Sequence, residues 1–546
     1  MMTGRKIQFL QIVLALVVLH LALVQPNHPG AMTWGALLLF PLELPAIVLT
    51  SLALGVGLAG RLVRVVLVVL LTLIITLKFA DFVMFTSLSR GFNPVADLPL
   101  VRSLFDLVSG TFGYLAAVAG TVLAVIGVIL VGWLLWWACS YWTGIKRAAR
   151  VARVAGFGAV AACAAVIADV GQKMGHWPLP YDAPGTAFTA RIAVERVNQT
   201  RDTFANLRAF RTAAQHDPFA GQANLFDLVD RDILVVFVES YGRTSLDTDF
   251  YADLHRETLE TAEGQLQDLG LAMASTLLET PTQGGQSWLA HATFANGLWV
   301  DNQVSYGAAL SSGRQTLFHL AGQSGFQTVA VMPQITMDWP EAQFMGFDAI
   351  LAADDLGYKG LPFNWITMPD QFTFAAMDQL VFDARQDDTR IFAQMALGSS
   401  HAPWVPVPEL IDWDTIGDGT VYNPIVLASD TPKTVWQDHD RVRDQYRLAV
   451  DYALQVVFDY AARHAQTPPL MIVIGDHQAA GFVAMDERPH VPMHIIGPQD
   501  LVAALSDEHF QSGLIPDGDV DIQSMADMRT HIVGSLSSVK LAESGQ

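Results

Sequence analysis

Residues 232–242 read DILVVFVESYG, with six apolar residues in a row from Ile233 to Val238, then Glu239 and Ser240. A strand with one face in water alternates apolar and polar residues, and this one does not. A continuous run of this length, closed by polar residues and a glycine, marks a parallel strand covered on both faces. The pattern returns in FQTVAVMP (326–333), RIFAQMALGSSH (390–401), LMIVIGDHQ (470–478) and VPMHIIGP (491–498), with helical periodicity between them, as over 371–385 and 441–465. Strands alternating with helices predict an α/β domain with a mostly parallel central sheet flanked by helices.

In such sheets ligands collect beyond the carboxyl ends of the strands. Glu239 closes the first run, His401 the third, and Asp476 with His477 the fourth. A further stretch, TPTQGGQSWLAHATF (280–294), sets Ser287 behind the Gly284-Gly285 pair at the start of a predicted helix. Singly, each residue has an ordinary explanation: Glu239 as a helix cap, Ser287 as an N-cap. Together at strand ends they make a coherent metal site. A serine hydroxyl is a weak nucleophile until a base or a metal lowers its pKa. Glu239, Asp476 and His477 offer two hard oxygens and a nitrogen, and the Ser287 oxygen a fourth ligand. This donor set suits one divalent ion, Mn²⁺ first, with Mg²⁺ or Zn²⁺ as alternatives; the lack of thiolates disfavours a structural zinc. Backbone N–H groups at the helix start would face an anionic substrate, and the glycine pair lets a phosphate approach the backbone closely. Ser287 is therefore expected to be a metal-activated nucleophile.

The chain has 546 residues, 51% of them hydrophobic, and the apolar residues are concentrated before residue 171. Runs of spanning length, about 20 residues, cover 7–25, 32–59, 62–87, 113–142 and 152–171. They predict a transmembrane domain of five helices over 1–171, a linker with interfacial helices over 172–230 and the α/β domain over 231–546. Arg5 and Lys6 precede an apolar run, as in a signal peptide, but four further spans make it an uncleaved anchor. Basic residues cluster at Arg5 and Lys6, at Arg61 and Arg64, and from Lys146 to Arg153. With five spans all three clusters share the cytoplasmic side, and the C-terminal domain lies outside. Glu43, in FPLELP, is either a functional intramembrane acid or a residue at a break near the interface. Lys78 and Asp81, three apart, are expected to neutralise each other, and the more polar 88–112 to lie along the outer surface.

Through residue 171 there are 11 basic and 5 acidic residues, a net of +6, so the rest of the −21 chain carries −27. That acidity excludes a nucleic-acid partner. Both cysteines, Cys139 and Cys163, fall in apolar runs, so the C-terminal part has neither disulfide nor thiol chemistry.

The ordered motifs VES, GGQS, SSH and GDH, following N-terminal spans, resemble the lipoteichoic acid synthase and phosphoglycerol transferase family, a membrane-bound branch of the alkaline phosphatase and sulfatase superfamily. The resemblance covers nearly the whole chain. It implies transfer of a phosphoglycerol group from a phospholipid through a covalent phospho-enzyme. It places the metal ligands at Glu239, Asp476 and His477, the nucleophile at Ser287 (threonine in the family), and a substrate contact at His401. The family's Trp-Asn-Arg head-group motif aligns with Trp339-Pro340-Glu341, where Glu341 stands in place of the arginine. QSWLAH lacks the proline and arginine of the sulfatase motif, so sulfate ester hydrolysis is not expected.

The expected function is that of a multi-pass protein of the bacterial inner membrane. Its extracytoplasmic domain would move a phosphoglycerol or phosphoethanolamine head group from a phospholipid donor to an envelope glycan or lipid acceptor. The alternative is a phosphodiesterase or phosphatase using water at the same site. A non-catalytic scaffold would not need all four metal-site residues.

Overall fold

The computed structural model describes residues 2–88, 90–180, 184–337, 339–385, 388–516, 518 and 520–539. The chain packs as two units, Met1–Asn206 and Leu207–Gln546.

In the first unit, four helices among the described residues are long and apolar enough to cross a membrane: Lys6–Val24, Leu58–Leu88, Tyr114–Gly144 and Ala149–Lys173. The expected second span, 32–59, is instead divided into a single turn, Trp34–Leu37, and a helix Glu43–Leu54. Pro41 has no N–H to donate, and its neighbourhood is taken up by extended pairing: Leu42 N donates to Thr186 O at 3.1 Å. The 12 residues from Glu43 rise about 18 Å, short of a hydrocarbon core of about 30 Å.

One end of this unit gathers the basic clusters. Tyr141 Oη donates to Gln8 O at 3.2 Å, Arg147 to Ala53 O at 3.0 Å, and Arg64 to Ser140 Oγ and Thr143 Oγ1 at 3.1 and 3.3 Å. The other end gathers buried ionisable residues that hold the segment 186–196. Lys78 Nζ, fully buried, donates to Leu23 O at 3.1 Å and Thr189 Oγ1 at 2.7 Å. Glu43 Oε1 accepts Ala190 N at 2.9 Å, and Asp169 Oδ2 accepts Ala187 N at 2.7 Å. Asp81 takes the Arg196 guanidinium, Asn27 Nδ2 at 3.0 Å and Phe92 N at 2.9 Å. Lys78 and Asp81 thus do not pair with each other, because each has a partner brought from elsewhere in the chain. Part of the more polar 88–112 stretch is the helix Leu100–Phe112.

The second unit is built on one sheet of nine strands among the described residues: β1 Ile233–Val238, β2 Ala272–Glu279, β3 Gln327–Met332, β4 Ala349–Ala352, β5 Ile391–Ala396, β6 Leu470–Gly475, β7 His490–Gly497, β8 Gln511–Ser512 and β9 Gln523–Ser524. The order is β4-β3-β5-β1-β6-β7-β2-β8, with β9 also paired to β2. The sheet is mixed: β4 through β6 run parallel, while β7 is antiparallel to both β6 and β2. Both faces are covered. Leu234, Val236 and Val238 join a core with the helices Asp249–Asp268 and His439–Arg463, while Ile233, Val235 and Phe237 join one with Ser287–Asn296 and Met528–Ser535. Two-sided burial is why β1 reads as an unbroken apolar run.

Candidate metal centre and nucleophile

Strand register assembles the site. Val238 pairs with Gly475 in parallel β1 and β6, so the next residues, Glu239 and Asp476, leave the sheet side by side. Close approach there needs Gly475, where a Cβ would stand 1.8 Å from Tyr241 O. The loop that carries Ser287 is tied to the same edge, with Gly284 N donating to Gln478 O at 2.8 Å. The loop turns through Gly284 and Gly285 at φ +75° and +138°, and Gln286 follows at φ +68°. Ser240, next to Glu239, also has a positive φ, +58°. Non-glycine residues in this region store strain of order 1–3 kcal/mol, a cost that clusters at functional sites.

Ser287 Oγ donates to Glu239 Oε2 at 2.9 Å and lies 3.3 Å from His477 Nε2. His477 Nε2 is 3.1 Å from Glu239 Oε1 and 3.9 Å from Asp476 Oδ2. Ligand atoms of Glu239, Asp476 and His477 all fall within 4.8 Å of one another. Ligands about 2.1 Å from a tetrahedrally bound ion lie about 3.4 Å apart, so these spacings fit one small divalent cation. Asp476 Oδ1 accepts Ser240 N at 2.8 Å and His477 N at 2.7 Å, and His477 Nδ1 faces Gln478 O at 3.0 Å. The Gln478 carbonyl thereby favours the tautomer that leaves Nε2 free to ligate.

The electrostatics point the same way. Burial pushes Glu239 up, but the His477 and His401 rings outweigh it and hold the carboxyl well below the usual range. Burial, reinforced by the Glu239 charge, drives Asp476 well above its ordinary value. His477 is raised to about 9, because Asp476 and Glu239 overcome the depressing effect of burial. Two carboxylates held this close compete for one positive charge. A divalent cation would satisfy both and release the imidazole to ligate as the neutral base.

His401 follows β5 on the loop 398–401. Ser400 Oγ donates to Glu239 O at 2.6 Å, which fastens this loop to β1. Asp370, absent from the sequence reading, holds its other end: Oδ1 accepts Gly398 N and Ser399 N at 2.8 and 2.9 Å. Burial lifts the Asp370 pKa to about 6. Nothing local marks Asp370, which lies 28 residues before Gly398. His291 was also missed, although the i, i+4 spacing from Ser287 places both on one helix face. Its ring lies 4.1 Å from that of Phe237, and burial lowers its pKa to about 4 against the pull of Glu239.

Trp339 and Glu341 lie at the start of the turn Pro340–Phe344, which follows β3. Trp339 packs 6.5 Å from Phe347, and both it and Glu341 act on the Tyr306 hydroxyl. Among the described residues neither has a hydrogen bond or ion pair to Glu239, Ser287, Asp476 or His477.

No protein-family model matches the chain, and no curated protein matches it in sequence. Several solved structures do. A lipoteichoic acid synthase from Listeria monocytogenes matches over 63% of this chain and 80% of its own, with 12% identity and a TM-score of 0.38. A Streptococcus pyogenes phosphoglycerol transferase in complex with sn-glycerol-1-phosphate matches over 62% and 82%, with 12% identity and a TM-score of 0.38. The soluble domain of a lipooligosaccharide phosphoethanolamine transferase from Neisseria meningitidis matches over 59% and 91%, with 11% identity and a TM-score of 0.38.

Proposed function

We propose that this chain is a membrane-anchored, metal-dependent transferase that carries a phospho-alcohol head group from a phospholipid to an extracytoplasmic glycan or lipid through a phospho-serine. The observation that carries this reading is Ser287 Oγ, set 2.9 Å from Glu239 and 3.3 Å from His477 at the strand ends. Glu239, Asp476, His477 and Ser287 would hold the ion, Mn²⁺ first. A bound divalent cation would supply Lewis acidity to the serine oxygen and to the phosphoryl group. Ser287 Oγ attacks the head-group phosphorus, the bond from phosphorus to the diacylglycerol oxygen breaks, and that oxygen gains the proton Ser287 loses. In the second step an acceptor hydroxyl forms the new P–O bond, the Ser287–phosphorus bond breaks, and the acceptor's proton returns to Ser287. His401, whose ring acts electrostatically on Glu239, would steady the phosphoryl oxygens.

The end of the membrane unit that gathers Arg64 and Arg147 faces the cytoplasm by the positive-inside rule. The C-terminal unit is then extracytoplasmic. Glu341 beside Trp339 favours a cationic head group, through charge pairing and a cation–π contact, and so phosphatidylethanolamine over phosphatidylglycerol as donor.

The test uses membrane vesicles containing the full chain and a phospholipid labelled in its head-group phosphate. Label found by mass spectrometry first on Ser287 and then on a glycan or lipid supports the reading. Release of free head-group phosphate with no modified acceptor would make water the acceptor and the protein a phosphodiesterase.

A further inference from the structure

Two loops carry the site outward, and both end in one aromatic group. The loop after β5 runs from His401 to Trp404, and the loop after β6 from His477 to Phe482. Trp404 is buried, and Trp436 stacks on it with ring centroids 5.8 Å apart and planes 3° from parallel. Phe482 meets Trp436 at 6.2 Å and 66°, and His439 lies 5.4 Å from Phe482. Trp436 nevertheless remains 42% exposed. Its indole N–H donates to Pro403 O at 3.2 Å, which engages its one polar atom and fixes the ring.

A single exposed tryptophan is ordinary on a protein surface. This one differs in how firmly it is braced to the catalytic edge. The Trp404 indole donates to Ser400 O at 2.7 Å, and Ser400 Oγ donates to Glu239 O at 2.6 Å. Trp404 also packs on the Tyr446 ring at 5.4 Å, and Tyr446 Oη donates to Ser240 O at 2.8 Å. Trp404 adopts φ +58°, a left-handed conformation that a bulky residue takes only under constraint. Strain of this kind is expected where a fixed ring position matters to function rather than to packing alone.

We propose that the open face of Trp436 is an acceptor subsite on which a neutral sugar ring stacks, its hydroxyl directed toward Ser287. This rests on the transferase reading above and names the acceptor class. The face of an indole carries negative quadrupolar charge, which suits the weakly positive C–H face of a pyranose. The surroundings disfavour an anionic polymer. Asp438 and Asp440 are exposed beside His439; Arg443 is engaged with Phe482 O and Asp440, and Arg441 with Asp430, which leaves the exposed Lys433 as the other cation of this stretch. The chain beyond residue 171 carries −27, so a polyanionic acceptor would be repelled, whereas a neutral glycan offers hydroxyls to those carboxylates.

The test has two arms on the full chain in a detergent without a sugar head group. In the first, saturation-transfer NMR is run with maltose, cellobiose and diacetylchitobiose, and with glycerol 1-phosphate as the anionic comparison. A neutral disaccharide should bind. Trp436→Ala should weaken that binding at least tenfold, while Trp436→Phe, which keeps a flat face, stays within about threefold. In the second, Ser287 is labelled from phospholipid and its discharge is followed against sugar concentration. Trp436→Ala should raise the half-saturating concentration at least tenfold and change the saturated rate little. Sugar binding indifferent to Trp436, or binding of glycerol phosphate in place of the sugars, overturns the proposal. Failure of the wild-type chain to label Ser287 indicts the transferase reading instead, and the binding arm still decides the subsite.

Discussion

Ser287 Oγ and Glu239 Oε2, 48 residues apart in sequence, share a hydrogen bond of 2.9 Å at the carboxyl edge of the sheet. The hydroxyl is held where a cation shared with Glu239 could polarise it. Ser287→Ala should abolish phospho-enzyme and lower turnover by roughly 10³-fold or more, while Ser287→Thr keeps part of both. Intact-mass analysis after incubation with phospholipid checks this. Phosphate on the alanine variant would transfer the nucleophile to another residue.

Asp476 accepts two backbone N–H groups with Oδ1 and keeps Oδ2 toward His477. Asp476→Asn should retain that backbone geometry and lose the metal. Adding Mn²⁺ at about 100 times its dissociation constant should stabilise the wild type by about 2.7 kcal/mol and leave the variant unmoved. Thermal unfolding with metal analysis reads both. Stoichiometric metal in Asp476→Asn would refute the ligand assignment.

His494 is fully buried between Ser275 Oγ at 2.7 Å and Tyr241 Oη at 3.0 Å, and burial lowers its pKa to about 3. The folded value lies below the unfolded one of about 6.5, so the unfolded chain binds the proton first. The associated stability is present above pH 6.5 and is lost as pH falls toward 3, at up to about 1.4 kcal/mol per pH unit. His255, lowered to about 4 by burial, acts with the same sign. Asp370, raised to about 6 by burial, acts oppositely, losing stability as pH rises through that value. Comparing pH slopes isolates the histidine: His494→Gln should flatten the urea midpoint curve between pH 6.5 and 4 by about one proton. An unchanged slope would mean that His494 titrates normally in the fold.

Glu341 is the proposed determinant of head-group choice. Glu341→Gln should reduce turnover of phosphatidylethanolamine by about five- to tenfold, as expected for loss of about 1–1.4 kcal/mol of charge pairing, and spare phosphatidylglycerol. Equal rates on both lipids, unaffected by the substitution, would remove Glu341 from the site.

Asp81→Ala should leave the Arg196 guanidinium without its carboxylate in a buried setting. Breaking such a pair costs about 3–5 kcal/mol, visible as a lowered melting temperature in detergent. A melting point within a degree of wild type would mean that Arg196 finds another partner.

Which parts of this were legible follows from burial. β1, β3, β5, β6 and β7 each carry apolar residues to one or both cores, so they stand out as runs. β2, AMASTLLE, did not stand out: alanine, methionine and leucine favour helices, and its strand state comes from eight antiparallel pairings with β7. That pairing makes the sheet mixed where a mostly parallel one was expected. Ser287, Glu239, Asp476 and His477 could be grouped because each lies at or beyond a strand end. Trp339 and Glu341 were assigned by resemblance alone, and strand-end logic gave no support for them. Asp370 acts through backbone N–H groups, which leave no pattern in side-chain chemistry. In the membrane unit, hydropathy averaged over 32–59 hid Pro41, just before the helix Glu43–Leu54, and Gly55, at φ +64° just after it.

The contacts gripping residues 186–196 decide where the polypeptide can be severed. Apolar character falls away near residue 171, and a cut there looks natural. It would take the Ala187 and Ala190 amides from Asp169 and Glu43, and Thr189 from Lys78. Both pieces would then carry orphaned polar groups, the membrane piece as bare charge inside its own interior. A fragment of the second unit alone should begin close to Leu207, where the packing divides within the helix Phe188–Ala214. Fragments starting earlier are expected to aggregate or to be trimmed back to that seam by proteases.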